Sequence, residues 1–293
     1  MRRILSTLLL SILISAPLYA QQTNSLEGKI WSVSASDFIP FPKMLKAIRD
    51  KRYIVMGERH GRHAHQGREA FLIGALAEAG RYPAIAFEML SGPQAQIVST
   101  YRATSPEYAL GLGIALDWAS TNWPSWSYYV PVFDAAFSTK AEIIGADLSD
   151  KEQSELVVKP IPEALRGTQG FTYYKDQMTR AHCGLIAPER AELLAGLQLA
   201  RDAQMANAIL SRTEDDQGVL LVVGASHVRK STGIPSRLPN GTVAVVLLRE
   251  ATDGEDSIED IVPGALTDFD YIWFTPKAED TSFCDRIGKA EKK

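Results

Sequence analysis

Three of the five histidines of this chain lie in one short stretch, "VMGERHGRHAH" (Val55 to His65), beside a glutamate. This stretch begins at the end of an apolar run of the kind that forms buried β-strands. A second turn with the same Gly-x-x-His pattern, Gly224 to His227, ends another apolar run. Imidazoles and carboxylates bind metals, transfer protons and hold charged ligands. The two turns therefore indicate one chemically active cleft, provided that the fold brings them together.

Six apolar runs, rich in β-branched residues and separated by helical patterns, are the elements that would position these turns. Nearly continuous apolar runs are typical of strands buried on both faces. They predict an α/β fold, with a mostly parallel sheet flanked by helices. The runs are Arg52 to Glu58, Pro83 to Met89, Ala141 to Leu148, Gly218 to His227, Thr242 to Glu250 and Asp270 to Thr275.

Two long helical blocks interrupt the strand pattern, at about residues 91–139 and 160–212. Both are too long to be simple crossovers between neighbouring strands. We therefore expect residues 21–293 to form one α/β domain in which these insertions build a smaller helical subdomain.

Polar residues follow three of the predicted strands. Ligands bind outside the carboxyl ends of parallel strands, so Glu58, His60, Glu88 and His227 are expected to share one mouth. His63 and His65 lie in the adjoining loop or first helical turn. They could belong to this mouth, or they could simply face solvent.

Two chemistries suit such a mouth. Two imidazoles and a carboxylate, from His60, His227 and Glu88, match a divalent metal such as zinc, manganese or iron. Glu58 would then act as general base, which makes Glu58, His60, Glu88 and His227 the catalytic set of a hydrolase.

Haem is the other ligand that the mouth could hold. It needs an axial donor, commonly His or Tyr, and apolar faces. The aromatic stretch from Trp118 to Phe137 could supply the faces, or it could simply pack in the core. The candidate axial tyrosines, among which the sequence does not choose, are Tyr128, Tyr129, Tyr173 and Tyr174.

The first twenty residues carry Arg2 and Arg3, a short apolar run and a small residue at Ala20, as in a secretory signal peptide. Its removal takes the net charge from −4 to −6, because the segment holds two arginines and no acids. This charge disfavours nucleic acid and anionic membrane surfaces as partners. No later segment is apolar enough to span a membrane, and no cysteine near the cut could accept a lipid. A soluble periplasmic protein is expected.

Cys183 and Cys284 are the two cysteines of the chain. In an oxidising compartment they could form one disulfide, or they could be two separate buried thiols.

Four segments of the chain together resemble the ChaN-like haem-binding uptake family, in the superfamily that also contains the Tiki proteins. In chain order they are "GERHGRHAH", "FEM", "LARDAQMANAI" and "VVGASHVRKSTGIPSRL". The resemblance extends from about Arg52 to Arg249. Its order and spacing are more specific than any one of the segments.

The resemblance implies a role in haem or iron uptake at the cell envelope. It implies haem at the interface of a homodimer, with a tyrosine as axial ligand and a histidine near the propionates. Glu58 and Asp202 would orient imidazoles, and a histidine or Arg201 would hold a propionate. The residues that would line the haem cleft are His60, His65, Glu58, Glu88, Arg201, Asp202 and His227. The alternative, from the Tiki proteins, is a metal-dependent protease or esterase that uses His60, His227 and Glu88.

Overall fold

The computed structural model describes residues 26–212, 218–252, 258, 266–278 and 284. The predicted signal peptide, residues 1–20, lies outside this range. The described residues form an eight-stranded sheet with the strand order β2-β1-β8-β7-β3-β6-β4-β5. The strands are β1 (Ile30–Ser32), β2 (Asp37–Ile39), β3 (Tyr53–Glu58), β4 (Ala84–Ser91), β5 (Ile143–Asp147), β6 (Val219–Gly224), β7 (Val243–Glu250) and β8 (Tyr271–Thr275).

The six strands from β3 to β8 run parallel to one another. These are the six strands that the apolar runs predicted, so the mostly parallel sheet is confirmed. The sequence analysis missed β1 and β2, which add an antiparallel edge beside β8. Each contains only three residues, too few to show a periodic pattern.

Helices cover both faces of the sheet. They are α1 (Phe41–Ile48), α2 (His63–Glu78), α3 (Gly92–Thr104), α4 (Leu112–Ala115), α5 (Trp126–Ser138), α6 (Asp150–Leu156), α7 (Glu163–Arg166), α8 (Gln169–Ala181) and α9 (Pro188–Leu210). The local sequence explains where several of these helices begin. Ser91 and Gln94 form a capping box before α3, and Pro188 occupies the first turn of α9, where its fixed φ is favourable.

Alternate side chains of the strands enter two separate cores. Ile54 and Met56 of β3 face the core built with α2 and α5, and Val55 faces the core that includes the end of α9. This alternation decides which helix each polar residue at a strand end will meet. Glu58 lies on the side of α2, and Glu88 of β4 lies on the side of α9.

The helical insertions pack over the sheet and its carboxyl edge. The ring of Phe133 on α5 stacks on Phe87 of β4 with 4.3 Å between centroids. Helices α8 and α9 pack together around a small apolar cluster of Phe171, Tyr174 and Leu199. The predicted smaller helical subdomain is therefore confirmed.

Cys183 and Cys284 form a disulfide, with 5.4 Å between their Cα atoms. It ties the end of α8 to the C-terminal part of the chain. None of the helices in the described ranges is long and apolar enough to cross a membrane.

Candidate functional site

Glu88 lies at the centre of a buried polar cluster at the carboxyl edge of the sheet. Its side chain is 2% exposed. One carboxylate oxygen accepts a 2.7 Å hydrogen bond from Arg201 of α9, and the other accepts one of 2.5 Å from the backbone N–H of Gly224. The parallel pairing of β4 with β6 places this N–H beside the carboxylate. Glu88 thus joins two strands to α9.

Two imidazoles contact Glu88, one from each Gly-x-x-His turn. The Nε2 atoms of His60 and His227 lie 3.5 and 3.4 Å from its two oxygens. Each ring is held at Nδ1 by a second carboxylate, at 2.7 Å by Glu58 for His60 and at 2.6 Å by Asp202 for His227. The structure therefore brings the two turns together, with each imidazole between two acids.

The carboxylates determine the protonation of both rings. Burial by itself would lower the pKa of His227, but Glu88 and Asp202 raise it to about 9. Burial opposes protonation of His60 too, yet Glu88 and Glu58 raise its pKa to about 10. Burial would raise the pKa of Glu88, and the neighbouring His227, Arg201 and His60 hold it well below its usual range. At neutral pH both imidazoles are thus cationic donors to a carboxylate.

Within the described ranges, no group of three or more His, Cys, Asp or Glu side chains is arranged to hold a metal. His60 and His227 each form an ion pair with Glu88. The geometry therefore gives no support to the metal site expected from these three residues.

Arg201 lies inside this cluster and is 8% exposed. Besides Glu88, its guanidinium donates to Asp147 at the end of β5, through Nε at 2.9 Å and a terminal nitrogen at 2.6 Å. Its other terminal nitrogen donates to Gln198. The sequence analysis missed Asp147, although it is an acid at a strand end like Glu88 and the same rule could have identified it.

Tyr174 connects α8 to the cluster. Its hydroxyl donates to Asp202 at 2.7 Å and lies 3.1 Å from Nδ1 of His227. The side chain is fully buried, and burial together with Asp202 holds its pKa well above the usual range. Tyr174 is therefore a buried neutral phenol that fixes α8 over the strand ends.

The first turns of α2 carry three further buried polar residues. Nδ1 of His65 accepts a 2.9 Å hydrogen bond from the backbone N–H of Arg59, and burial lowers the His65 pKa to about 4. The neutral ring consequently carries its proton on Nε2, which has no hydrogen-bond partner. Gln66 donates to Glu58, and the pKa of Glu69 is raised well above its usual range by burial and by Glu58.

Gln66 and Glu69 were not among the predicted site residues. They lie three positions apart on the face of α2 that meets β3, so helical spacing from His65 and His63 was the signal that could have found them. His63 itself is exposed and packs on Tyr128, with 4.2 Å between ring centroids.

A cavity of about 440 Å³ opens beside this cluster. Its wall is formed by the carboxyl ends of β3, β6 and β7, the start of α2, and α8. Of the predicted site residues, Glu58, His60 and His65 line it, and the His60 side chain is 27% exposed. Other lining residues are Arg59, Tyr173, Gln177, Ser226, Arg229, Leu247, Leu248, Arg249, Glu250 and Phe269.

Tyr173 is the one candidate axial tyrosine that lines this cavity, among the residues that the structure describes. It is half-buried, and the guanidinium of Arg229 lies over its ring, 4.8 Å from the centroid. Burial raises the pKa of Tyr173, and the positive charge of Arg229 opposes this rise. Tyr129 is fully buried in the core, and Tyr128 packs on His63.

Among the described residues, two cavities larger than this one lie outside the cluster. One of about 1150 Å³ lies between α3 and the edge strand β5 and contains none of the predicted site residues. Another of about 540 Å³ is lined by Trp118, Trp123 and Trp126. The Trp123 ring contacts His60 at 4.9 Å between centroids, so this aromatic cavity adjoins the imidazole that lines the 440 Å³ cavity.

Comparison with known proteins identifies the family. Residues 44–238 match the family described as "Haem-binding uptake, Tiki superfamily, ChaN". The matched range contains both Gly-x-x-His turns, Glu88, Arg201 and Asp202. No curated protein matches the chain at a significant level.

Solved structures with a similar fold include ChaN of Campylobacter jejuni, described as showing cofacial haem binding. It shares 23% identity and a TM-score of 0.66, over 83% of this chain and 95% of that one. A mutant of the erythromycin esterase EreC in its open conformation gives 14% identity and a TM-score of 0.49, over 90% of this chain and 98% of its own. The type III effector HopBA1 gives 14% identity and a TM-score of 0.45, over 80% of this chain and 92% of its own. The first similarity confirms the fold.

Proposed function

The chain belongs to the ChaN family of haem-binding uptake proteins in the Tiki superfamily, and on that premise we propose that it binds haem in the 440 Å³ cavity between α8 and the carboxyl ends of β3, β6 and β7. The observation that carries this proposal is Tyr173, a half-buried tyrosine that lines the same cavity as His60 and His65. Tyrosine is an established axial donor to haem iron.

The other candidate tyrosines are less suitable donors. Tyr174 is fully buried, and its hydroxyl is committed to Asp202. Tyr129 is fully buried among core residues. Iron could reach either phenol only after α8 or α5 had moved away from the sheet. Tyr128 is half-buried like Tyr173, but it packs on the exposed His63 and is not among the residues that line this cavity.

The cavity wall also suits the rest of the haem molecule. Leu247, Leu248 and Phe269 provide apolar surface for the porphyrin face. The described wall carries three arginines, Arg59, Arg229 and Arg249; Arg59 pairs with Glu250 and Arg229 with Asp268, and a guanidinium has further N–H groups that can donate to a propionate. The buried Nε2–H of His65 has no partner and is a further donor at this wall. The volume falls in the range of ordinary ligand cavities, about 300–1,000 Å³.

In this proposal haem is cargo, and the buried cluster has a supporting role. The ion pairs around Glu88 and the hydrogen bond from Tyr174 to Asp202 fix α8 at a set distance from the strand ends. Tyr173, the residue before it on α8, is thereby held at the cavity. A cavity open on one side, with His60 partly exposed, suits a ligand that has to be released.

An absorption titration with haemin tests the proposal. We expect a saturable Soret shift for the protein and for Tyr128→Phe, the matched control. Tyr173→Phe is expected to bind haem at least about tenfold more weakly, and its complex should lack the charge-transfer band of a tyrosinate bound to iron(III). Equal affinity and an unchanged band in Tyr173→Phe would contradict the assignment.

We extend the proposal to export into the periplasm, because residues 1–20 have the features of a signal peptide. N-terminal sequencing of the protein from a periplasmic fraction should begin at Gln21. A full-length protein that stays in the cytoplasm would refute this part.

We also propose a homodimer, with haem bound near the contact between the two copies. Tyr108, Leu110 and Ile114 are large exposed side chains at 69%, 72% and 88%, and the last two line the tryptophan cavity. Exposed apolar clusters of this kind are typical of protein contacts. Light scattering should give twice the monomer mass with haemin present, and a monomer at all concentrations would contradict it.

A further inference from the structure

A buried acid and an arginine form a chain of contacts that ends on Tyr173. We propose that Asp268 and Arg229 are positioning residues, which hold the Tyr173 phenol at the cavity as an iron donor. This inference rests on the proposed haem function. It gives a role to Arg229, which the sequence analysis left without one, and adds Asp268, which lies outside every segment that carried the resemblance.

Asp268 is the fixed end of this chain of contacts. It lies in the short turn that precedes β8 and is 5% exposed. One of its oxygens accepts a 2.8 Å hydrogen bond from the backbone N–H of Ser231, and the other forms a 2.6 Å ion pair with Arg229. A buried carboxylate with two charge-assisted or backbone partners has little freedom to move. The position of the Arg229 guanidinium is therefore set by Asp268.

Arg229 reaches from this anchor to Tyr173. Its guanidinium lies over the face of the Tyr173 ring, 4.8 Å from the ring centre. Its Nε atom is buried and has no hydrogen-bond partner. Arg229, Tyr173 and Gln177 all line the cavity. The arginine thus restricts the rotation of the ring about its side-chain bonds while leaving the phenol at the cavity wall.

The other neighbours of Tyr173 do not substitute for Arg229. Tyr174 touches the ring from the same helix at 5.2 Å between centroids, and Arg180 is a second cation on α8. The other charged or titratable residues of the cavity wall, Glu58, Arg59, His60, His65, Arg249 and Glu250, come from β3, α2 and β7. Arg229 is distinguished among them by its contact with the ring face and its anchor on Asp268.

The chain contains a matched control one residue away. Lys230 forms a 2.6 Å ion pair with Asp270, and both side chains are about one third exposed. This pair links the same two segments as Arg229 and Asp268, but neither residue lines the cavity. Lys230→Gln therefore removes an ion pair between these segments without touching Tyr173.

The test compares Arg229→Gln, Arg229→Lys, Asp268→Asn and Lys230→Gln in haemin titrations of the full protein, with urea unfolding to check that each variant folds. We expect Arg229→Gln and Asp268→Asn to bind haem on the order of tenfold more weakly and to show a weaker or shifted tyrosinate band. Lys230→Gln should have the haem affinity and the spectrum of the unchanged protein. Arg229→Lys keeps a positive charge beside Asp268. It should therefore recover part of the haem affinity and part of the tyrosinate band.

The outcomes separate this inference from the proposed function. If Tyr173→Phe binds haem normally, the proposed site fails. If Tyr173→Phe loses binding while folded Arg229→Gln and Asp268→Asn keep the affinity and spectrum of the unchanged protein, the positioning role alone fails. The positioning role also fails if Lys230→Gln weakens haem binding as much as Arg229→Gln. The effect would then come from loosening the two segments that both ion pairs join, and not from the contact with Tyr173.

Discussion

Replacing Glu88 with glutamine should strongly destabilise the folded protein. This carboxylate neutralises Arg201 and two protonated imidazoles in a buried environment. An amide keeps the shape and can still accept from Gly224, but it carries no charge. His227, at 3% exposed, would then keep only Asp202 as its counter-charge.

The expected loss can be derived in two ways. Breaking a buried ion pair by removing one partner typically costs about 3–5 kcal/mol. Since each pKa unit corresponds to about 1.4 kcal/mol, raising the pKa of His227 from 6.5 to about 9 corresponds to about 3 kcal/mol. Glu88 is the first of the two carboxylates that produce this rise. Asp202 contributes to the same rise, so the second value is an upper bound on the share of Glu88, and we expect Glu88→Gln to lower the free energy of unfolding by about 3 kcal/mol at neutral pH.

The pH dependence should change as well. Because the folded pKa of His227 is raised, its contribution is fully present below pH 6.5 and is lost as the pH rises through about 9. His227 alone should therefore account for a loss of about 3 kcal/mol over this window, and His60, whose pKa is raised to about 10, adds to the loss in the same direction. The pKa of Glu88 is lowered, so its own contribution is present above its ordinary value of 4.5 and is lost in more acidic solution. Glu88→Gln should show a much flatter alkaline profile.

Urea unfolding, followed by circular dichroism at about pH 6 and pH 9.5, measures both effects. Glu78→Gln is the matched control, since Glu78 is an exposed residue of α2, and it should stay within about 0.5 kcal/mol of the unchanged protein. If Glu88→Gln unfolds within about 1 kcal/mol of the unchanged protein at both pH values, the charges assigned to the cluster are wrong.

Two further predictions concern the scaffold. A methyl group at Gly145 of β5 would overlap the backbone carbonyl of Ser91, so Gly145→Ala should cost at least about 2 kcal/mol in thermal unfolding, whereas Gly74→Ala, with open space around it, should be neutral or stabilising. Equal melting temperatures for the two variants would contradict this packing. The disulfide between Cys183 and Cys284 spans a sequence separation of 101 residues, so its reduction should lower the free energy of unfolding by about 2–5 kcal/mol, and a double serine variant should be insensitive to the reductant.

The sheet could be predicted because its strands are buried on both faces, which leaves a clear apolar signal in the sequence. The same logic placed Glu58, Glu88 and His227 at strand ends, where the structure gathers them into one cluster. Strands β1 and β2 contain three residues each and carry no comparable signal.

The partners of the predicted residues were harder to find. Arg229 lies in the segment that follows the second Gly-x-x-His turn, but Asp268 lies in a segment without a motif, and their contact depends on the packing of a loop after β6 against the turn before β8. Whether Tyr173 or Tyr174 faces the cavity depends on the rotation of α8, which the hydrogen bond from Tyr174 to Asp202 sets. Neither of these long-range contacts can be derived from local spacing.

The central claim is that haem binds at Tyr173, and a crystal structure of the haem complex tests it most directly. The account predicts iron bonded to the Tyr173 oxygen, with the porphyrin in the cavity beside His60 and with Arg229 still paired to Asp268. A porphyrin seated elsewhere, for example against Trp118 and Trp126, with Tyr173 free of iron, would contradict it.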